Sequence, residues 1–155
     1  MEFDRRRIFA VADMQFGPGA SEALFMGKIH LIKSKRTGKI RNVICDGSHV
    51  VSMRAEDGLF TLKLDGGRRL HSKIKYPLLR VIVADDAVPF VKEGKSVFAK
   101  FVLDCDPNLR PYDECILVDE QDLFLGIGRT LLTRNEMLSF RYGMAVKTRD
   151  SIKEG

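Results

Sequence analysis

Gly94-Lys95-Ser96-Val97-Phe98-Ala99-Lys100-Phe101 is the stretch that decides the fold of the second half of this 155-residue chain. Its glycine can stop a short helix after Asp85-Asp86, and the alternation that follows predicts a strand over 96–103. Further strands are predicted at 114–119 and 123–131. Thr133 and Glu136 have the spacing of a capping box, so a second helix should begin there. The pattern predicts a mainly β barrel with two short helices.

The same half of the sequence also predicts where its helices end and which side chains are buried. Asp85 or Asp86 should cap the first helix, and Gly143 should end the second, before a last strand over 144–148. Met137 and Phe140 are three residues apart and should face inward. Alternation along 96–103 predicts one face in the core and one at the surface. The expected core face is Val97, Ala99, Phe101 and Leu103, and the expected surface face is Phe98, Lys100, Val102 and Asp104.

The first half has the pattern of a small α+β domain. Helix-compatible residues precede Gly17-Pro18-Gly19, and a second short helix is predicted from Ala20 to Met26. Strand-like alternation follows, with a hairpin around Arg36-Thr37-Gly38-Lys39 and further turns at 46–47, 57–58 and 65–67. Helices on one face of a four-stranded antiparallel sheet is the expected arrangement. The charge balance changes sign at Pro77, so we expect domains at 1–76 and 77–155.

Charge and composition limit the class of protein. The chain is 45% hydrophobic and 30% charged, with no apolar run near the roughly 20 residues that span a bilayer. The apolar run after Arg5-Arg6-Arg7 is too short for a secretory signal, so we expect a cytoplasmic protein. Of the net charge of +5, residues 1–76 contribute +7 and residues 77–155 contribute −2. The first half therefore suits an electrostatic partner such as nucleic acid.

No pattern for catalysis, metal or cofactor binding is present. The cysteines at 45, 105 and 115 and the histidines at 30, 49 and 71 lack the spacing of zinc ligands. The favoured interpretation is reduced core cysteines; a bridge between Cys105 and Cys115 is the alternative in a thermophile. Ser96 has no neighbouring base, and the acidic pairs have no partner that would make an acid–base site. We expect neither enzyme activity nor a cofactor.

A basic window in the first half contains no acidic residue. Its cations are Lys28, Lys33, Lys35, Arg36, Lys39 and Arg41. On a hairpin they would form a cationic arm able to neutralise phosphates. The alternative is a solvated edge hairpin, because lysines also protect sheet edges from aggregation. Lys100, beside an aromatic ring, has the same two interpretations: contact with an RNA backbone, or a solvated side chain at the rim.

The ordered motifs of residues 80–147 together resemble a PUA domain, a small RNA-binding barrel. They include Gly94 to Phe101, Arg110-Pro111, Asp113-Glu114, Gly128-Arg129 and Glu136-Met137. The first half is similar through Ala12 to Gly17, Arg54 to Leu62 and Arg68-Arg69-Leu70-His71. Taken together, nearly all of the chain resembles the C-terminal portion of the archaeosine tRNA-guanine transglycosylase family. Tyr112 stands where that family usually has glycine, which leaves the detail of that turn open.

The resemblance implies a function without catalysis. The family's activity resides in an upstream barrel with paired aspartates and a zinc site, and this chain contains neither. The expected protein is an archaeal accessory module that binds the acceptor stem and CCA end of tRNA for a separately encoded tRNA-modifying enzyme. Carried over by position, the implied RNA contacts are Gly94, Lys95, Ser96, Lys100, Arg129, Lys147 and Arg149. A protein-interaction adaptor without RNA binding is the alternative, favoured by the charge of −2 on the second half.

Overall fold

The computed structural model describes residues 2–153 and separates the chain into two compact units. The first unit ends at Ile74 and the second begins at Lys75.

Three helices and four strands form the first unit. The helices are α1 (Glu2–Phe16), α2 (Ala20–Phe25) and α3 (Leu64–Lys73), and the strands are β1 (Ile29–Lys33), β2 (Ile40–Cys45), β3 (Ser48–Met53) and β4 (Phe60–Leu62). The strands form an antiparallel sheet in the order of the chain, which confirms the predicted sheet and hairpin.

The core of the first unit lies on one face of this sheet. Ile8, Ala12 and Phe16 recur at intervals of four residues on α1, and all three are buried. The sheet contributes a row of apolar side chains: Leu31 pairs with Val43, Val43 with Val51, and Val51 with Leu62. The next row, Ile32, Asn42, Ser52 and Thr61, faces the other way and is mostly polar.

The loop between α1 and α2 has a structural role. The Asp13 carboxylate accepts hydrogen bonds from the backbone N–H of Ser21 at 2.8 Å and from its hydroxyl at 3.0 Å. The Gly17 N–H also donates to the Asp13 carbonyl at 3.0 Å. These bonds fix the start of α2 against the end of α1, as expected of a tight turn.

Helix α3 occupies a stretch for which only a turn was predicted. Asp65-Gly66-Gly67 lies inside the helix, and Gly66 packs directly on β3. A β-carbon on Gly66 would lie 2.0 Å from the Val50 carbonyl oxygen. Glycine is present here because it permits close packing of a helix on a strand, so the turn prediction was wrong.

The second unit is a six-stranded mixed sheet that forms a nearly closed pseudo-barrel. Its strands are β5 (Arg80–Val83), β6 (Val97–Phe98), β7 (Val102–Cys105), β8 (Glu114–Val118), β9 (Phe124–Thr130) and β10 (Met144–Ser151), in the spatial order β6-β10-β9-β8-β5-β7. Its helices are α4 (Val88–Lys92) and α5 (Arg134–Ser139). Only β5 and β8, among the described strand pairs, run parallel. The predicted fold class is confirmed for both halves.

The strand predicted over 96–103 is interrupted. Residues 99–101 form a 3₁₀ turn between β6 and β7, which shifts the alternation by one residue. Val102 is therefore 7% exposed and Leu103 is 50% exposed, the reverse of the prediction. Val97 and Ala99 are buried as predicted.

The helix ends of the second unit differ in part from the prediction. Neither Asp85 nor Asp86 caps α4: the two residues form a 3₁₀ turn with Ala87, and no side chain bonds the helix N-terminus. Helix α5 ends at Ser139, four residues before Gly143. Met137 is buried, but Phe140 is 44% exposed because it follows the last helical residue in an extended conformation.

The capping box at α5 is confirmed and gives a first testable expectation. The Thr133 hydroxyl accepts from the Glu136 N–H at 3.2 Å, and the Glu136 carboxylate accepts from the Thr133 N–H at 2.9 Å. We expect Thr133→Ala to lower the free energy of unfolding by about 1 kcal/mol, because one helix N–H loses its acceptor. Thr133→Ser keeps the hydroxyl and is the control. Equal urea denaturation midpoints for Thr133→Ala and the unchanged chain would contradict the expectation.

Candidate nucleic-acid interface

A row of charged side chains crosses the middle of the second sheet. The strand register sets Glu114 of β8 opposite Arg129 of β9, and Arg129 opposite Lys147 of β10. Gly128 lets β9 and β10 approach closely, since a β-carbon there would lie 2.7 Å from the Lys147 carbonyl oxygen. The predicted sites Arg129 and Lys147 are therefore cross-strand neighbours.

Arg149 lies on the same strand as Lys147, two residues further along. Its Nη2 donates to Glu114 Oε2 at 2.9 Å, and its Nη1 donates to Glu114 Oε1. The Glu114 side chain is 0% exposed, so this bidentate pair neutralises a buried carboxylate. The family resemblance implied that Arg149 contacts RNA, but in the structure its guanidinium is bonded to Glu114 of the same chain.

Arg129 and Lys147 give this surface its positive charge. Lys147 is exposed, whereas the Arg129 Nε is buried and has no hydrogen-bond partner among the described residues. An open cavity of about 410 Å³ is lined by Arg129, Lys147, Thr148 and Arg149. Like charges directly opposite each other on a sheet repel, and an anion between them would remove that cost. The arrangement can hold a phosphate group.

The Gly94 turn lies at the edge of the same sheet. Gly94 has a φ of 88°, and nothing lies within 4 Å of the position of a β-carbon, so its backbone is open to a ligand. The exposed Lys95 ammonium lies 3.6 Å from Glu93 and 5.7 Å from the centre of the Phe90 ring. Ser96 is half-buried and begins the approach to β6.

The edge strand β6 joins this turn to the charged row. Val97 pairs with Val146, the residue before Lys147, and Phe98 pairs with Met144. Phe98 and Met144 are both exposed, so an apolar platform lies across β6 and β10 at the end of β6 farther from Gly94. Lys100 follows in the 3₁₀ turn, with its ammonium 5.1 Å from the centre of the Phe101 ring. The predicted sites of the second half thus lie on or beside three neighbouring strands, β6, β10 and β9.

Apart from Lys28, the basic window of the first half lies at one end of its sheet. Lys35, Arg36, Lys39 and Arg41 are exposed there. A shallow depression of about 590 Å³ is lined by Lys33, Lys35, Arg36 and Arg41, together with residues of the open face of the sheet. Lys28 lies at the opposite end of β1, where its N–H donates to Asp46 at 2.8 Å.

Lys33 is paired with a carboxylate that lies outside the basic window. The Lys33 ammonium donates to Asp4 of α1 at 2.7 Å. This hydrogen bond, more than the accompanying charge attraction, lowers the pKa of Asp4. Of the predicted cations in the window, Lys33 is therefore engaged within the protein.

The Asp4–Lys33 pair predicts a pKa change that can be measured. Lys33→Met removes the donor, so we expect the pKa of Asp4 to rise in an NMR titration of its side-chain carboxyl. A lowered pKa in the folded state adds stability above the unfolded value, and that stability is lost as the pH falls through the folded value. Lys35→Met is the matched control and should leave Asp4 unchanged. An equal Asp4 pKa in the chain with and without Lys33 would contradict this expectation.

The cysteines are buried thiols without a bridge between them. Burial raises the pKa of Cys105 to about 11 and raises the pKa of Cys115 further. A thiol with a raised pKa is a poor nucleophile and metal ligand at neutral pH. Among residues 2–153, no three His, Cys, Asp or Glu side chains are grouped closely enough to hold a metal ion.

One serine lies beside a histidine on the open face of the first sheet. His49 Nε2 lies 3.2 Å from Ser52 Oγ, and burial is the main cause that lowers the pKa of His49. The Ser52 hydroxyl, however, donates to Asn42 Oδ1 at 2.7 Å. Its proton points away from the histidine, so this trio does not have the geometry of an activated nucleophile.

None of the described helices is long and apolar enough to cross a bilayer.

Comparison with known proteins identifies each half of the chain. Residues 6–77 match the family described as the patch-forming domain C2 of tRNA-guanine transglycosylase, and residues 79–152 match the PUA domain. Two solved structures with low sequence identity share the fold over 97% of this chain. They are a hypothetical protein of Pyrococcus horikoshii (TM-score 0.75, 20% identical, 91% of that chain covered) and a PUA domain protein of Thermoplasma acidophilum (TM-score 0.69, 14% identical, 90% covered).

Curated relatives match nearly the whole chain at higher identity. The tRNA-guanine(15) transglycosylase of Methanobrevibacter smithii is 46% identical over 151 residues, covering 97% of this chain and 23% of that protein. The Thermococcus kodakarensis enzyme of the same name is 45% identical over 150 residues, covering 97% of this chain and 26% of that protein. The chain thus spans about a quarter of the length of these relatives. It is a tRNA-guanine transglycosylase C2 domain followed by a PUA domain, and it matches the C-terminal portion of the archaeal transglycosylases.

Proposed function

We propose that this chain is a non-catalytic RNA-binding module that holds the acceptor stem and CCA end of tRNA. The observation that carries the proposal is the Arg129–Lys147 pair. Two cations are adjacent across β9 and β10, while the nearest buried carboxylate, Glu114, already has Arg149 as its partner. A phosphate of the RNA backbone supplies the missing negative charge.

The Gly94 turn and the Phe98–Met144 platform suit the end of an RNA strand. An unpaired base has an exposed face that stacks on an aromatic side chain, and the open backbone at Gly94 leaves room for close approach. Lys95 and Lys100 then lie at either end of β6, near the phosphates of the same strand. Contacts of this kind depend on shape and charge more than on sequence.

The cationic end of the first unit would lengthen the contact along the tRNA. Lys35, Arg36, Lys39 and Arg41 are exposed at the β1–β2 turn and are available to phosphates. Lys33 contributes less in this role, because binding RNA would compete with its bond to Asp4. The solvated-hairpin alternative predicts that these side chains have no effect on RNA affinity.

The proposed partner is a separately encoded tRNA-modifying enzyme, such as a tRNA-guanine transglycosylase. The relatives named tRNA-guanine(15) transglycosylase support this assignment, because nearly all of this chain is similar to part of them. The module would present tRNA to the enzyme, and it would do so in the cytoplasm.

A protein-interaction adaptor without RNA binding is the second candidate. The net charge of −2 over residues 77–155 favours it, because a negative unit is repelled by RNA at long range. Charge reversal separates the two: Lys95→Glu with Lys147→Glu should abolish tRNA binding if the module binds RNA. If it is an adaptor, binding to a transglycosylase should be unaffected and tRNA binding should be absent from the start.

Acceptor-end recognition is tested by two forms of one tRNA. The purified chain is titrated with unmodified tRNA that is intact or lacks its CCA end. We expect weaker binding without CCA, since the Gly94 turn and the Phe98–Met144 platform would lose their nucleotides. Equal affinity for both forms would exclude the CCA end as the ligand and leave backbone contacts alone.

A further inference from the structure

Two turns of the same design lie side by side at one end of the first sheet. In the turn 34–39 the Ser34 N–H donates to the Lys39 carbonyl, and the Gly38 N–H donates to the Ser34 carbonyl, each at 2.8 Å. The turn 54–59 repeats this pattern, with bonds of 2.8 and 3.0 Å. Both glycines have a φ of 73°. Because β1 to β4 are ordered as in the chain, both turns emerge from the same end of the sheet.

A groove of about 670 Å³ lies between these turns. Four segments contribute cations to it: Arg7 comes from α1, Arg36 and Lys39 from the first turn, Arg41 from β2, and Arg54 from the second turn. Arg7 reaches the second turn, since its Nη2 would lie 3.7 Å from a β-carbon on Gly58. Neither Arg7 nor Arg54 belongs to the basic window found in the sequence.

The groove has carboxylates on one side only. Glu56 and Asp57 of the second turn line it, so five cations face two anions. Asp57 Oδ1 accepts the Leu59 N–H at 2.9 Å and lies 3.4 Å from Arg54 Nε. Arg54 is 18% exposed, and its Nε has no hydrogen-bond partner among residues 2–153. A desolvated guanidinium edge and excess positive charge therefore border the groove.

We infer that this groove binds a nucleotide, with its phosphate against Arg7, Arg36 and Arg54 and its base or ribose toward Glu56 and Asp57. The cations of α1 and both turns match a phosphate, and the carboxylates of the second turn can accept hydrogen bonds from ribose hydroxyls or an exocyclic amino group. The volume lies in the range of small-ligand pockets. The inference deepens the proposed RNA binding and rests on it, since the nucleotide's source is an unpaired segment of the RNA strand or a free nucleotide.

The test uses a single-stranded oligoadenylate of five nucleotides, AMP and adenosine, each titrated against the full chain by calorimetry. We expect the oligonucleotide to bind and adenosine, which lacks the phosphate, to show no binding. Arg7→Gln with Arg36→Gln should weaken oligonucleotide binding at least about tenfold. Lys73→Gln with Lys75→Gln removes the same charge from exposed positions outside the groove and should have little effect. AMP binding as tight as that of the oligonucleotide would make the free nucleotide the ligand.

Two outcomes would overturn the inference. One is an absence of binding by both phosphorylated probes, and the other is equal weakening by the groove variant and its control. A separate measurement tests the proposed function. If Lys95→Glu with Lys147→Glu abolishes tRNA binding while no probe enters the groove, the second unit binds RNA and the groove does not take a nucleotide.

Discussion

Replacing both Arg129 and Lys147 by glutamine is expected to weaken tRNA binding by about a hundredfold. Each substitution removes one hydrogen bond between a charged donor and a phosphate, which contributes roughly 1.5–3 kcal/mol, and about 1.4 kcal/mol corresponds to tenfold in affinity. The slope of log affinity against log salt should also fall by about two, because two phosphate contacts are lost. Filter binding or fluorescence anisotropy at several salt concentrations measures both quantities.

The matched control for this experiment removes two cations elsewhere in the same unit. Arg110 and Lys153 are exposed and lie outside the cavity between β9 and β10. Arg110→Gln with Lys153→Gln lowers the net charge equally and should change tRNA affinity only a few fold. Equal losses in the two double variants would mean that net charge alone controls binding, and the Arg129–Lys147 site would be wrong.

Arg149→Met is expected to lower the free energy of unfolding by about 3 kcal/mol. Glu114 is fully buried, and the Arg149 guanidinium donates to both of its oxygens. Removing one partner of a buried ion pair leaves a charge that the interior solvates poorly, which costs about 3–5 kcal/mol. Urea denaturation measures the loss. Glu114→Gln with Arg149→Met should cost less than the sum of the single substitutions, because the two side chains are coupled.

Lys147→Met is expected to weaken tRNA binding without lowering the stability of the fold. Lys147 is exposed, so its substitution should change stability by no more than about 0.5 kcal/mol while weakening tRNA binding. Arg149→Met should show the reverse: a large loss of stability, with tRNA affinity nearly retained by the folded fraction. If Arg149→Met is as stable as the unchanged chain but binds tRNA poorly, Arg149 is an RNA ligand and not a partner of Glu114.

Much of the fold could be predicted because local patterns and packing agree. The β1–β2 hairpin, the four-stranded antiparallel sheet and the capping box at Thr133 each have a short-range sequence signature, and the structure contains all three. Helix α3 could not be predicted in this way. Two glycines in a row indicate a turn, and only the contact between Gly66 and the Val50 carbonyl explains why they lie in a helix.

The partners of the charged side chains could not be predicted from the sequence. Lys147 and Arg149 look equivalent in sequence, yet only Arg149 is bonded to a carboxylate that lies 35 residues away in the chain. Lys33 likewise acquires Asp4 as a partner from α1, 29 residues away. Arg7 and Arg54 were not predicted because nothing local places them beside the β1–β2 turn. The order of the hairpins brings Arg54 there, and the packing of α1 on the sheet brings Arg7.

Equilibrium binding of the purified chain to one unmodified tRNA, without any enzyme present, tests RNA recognition most directly. We predict saturable binding whose log affinity falls linearly with log salt between about 50 and 200 mM, with a slope of roughly −0.9 per phosphate contact if the rule for duplex DNA holds. An absence of binding at the lowest salt, with the protein folded by circular dichroism, would contradict RNA recognition and leave the adaptor.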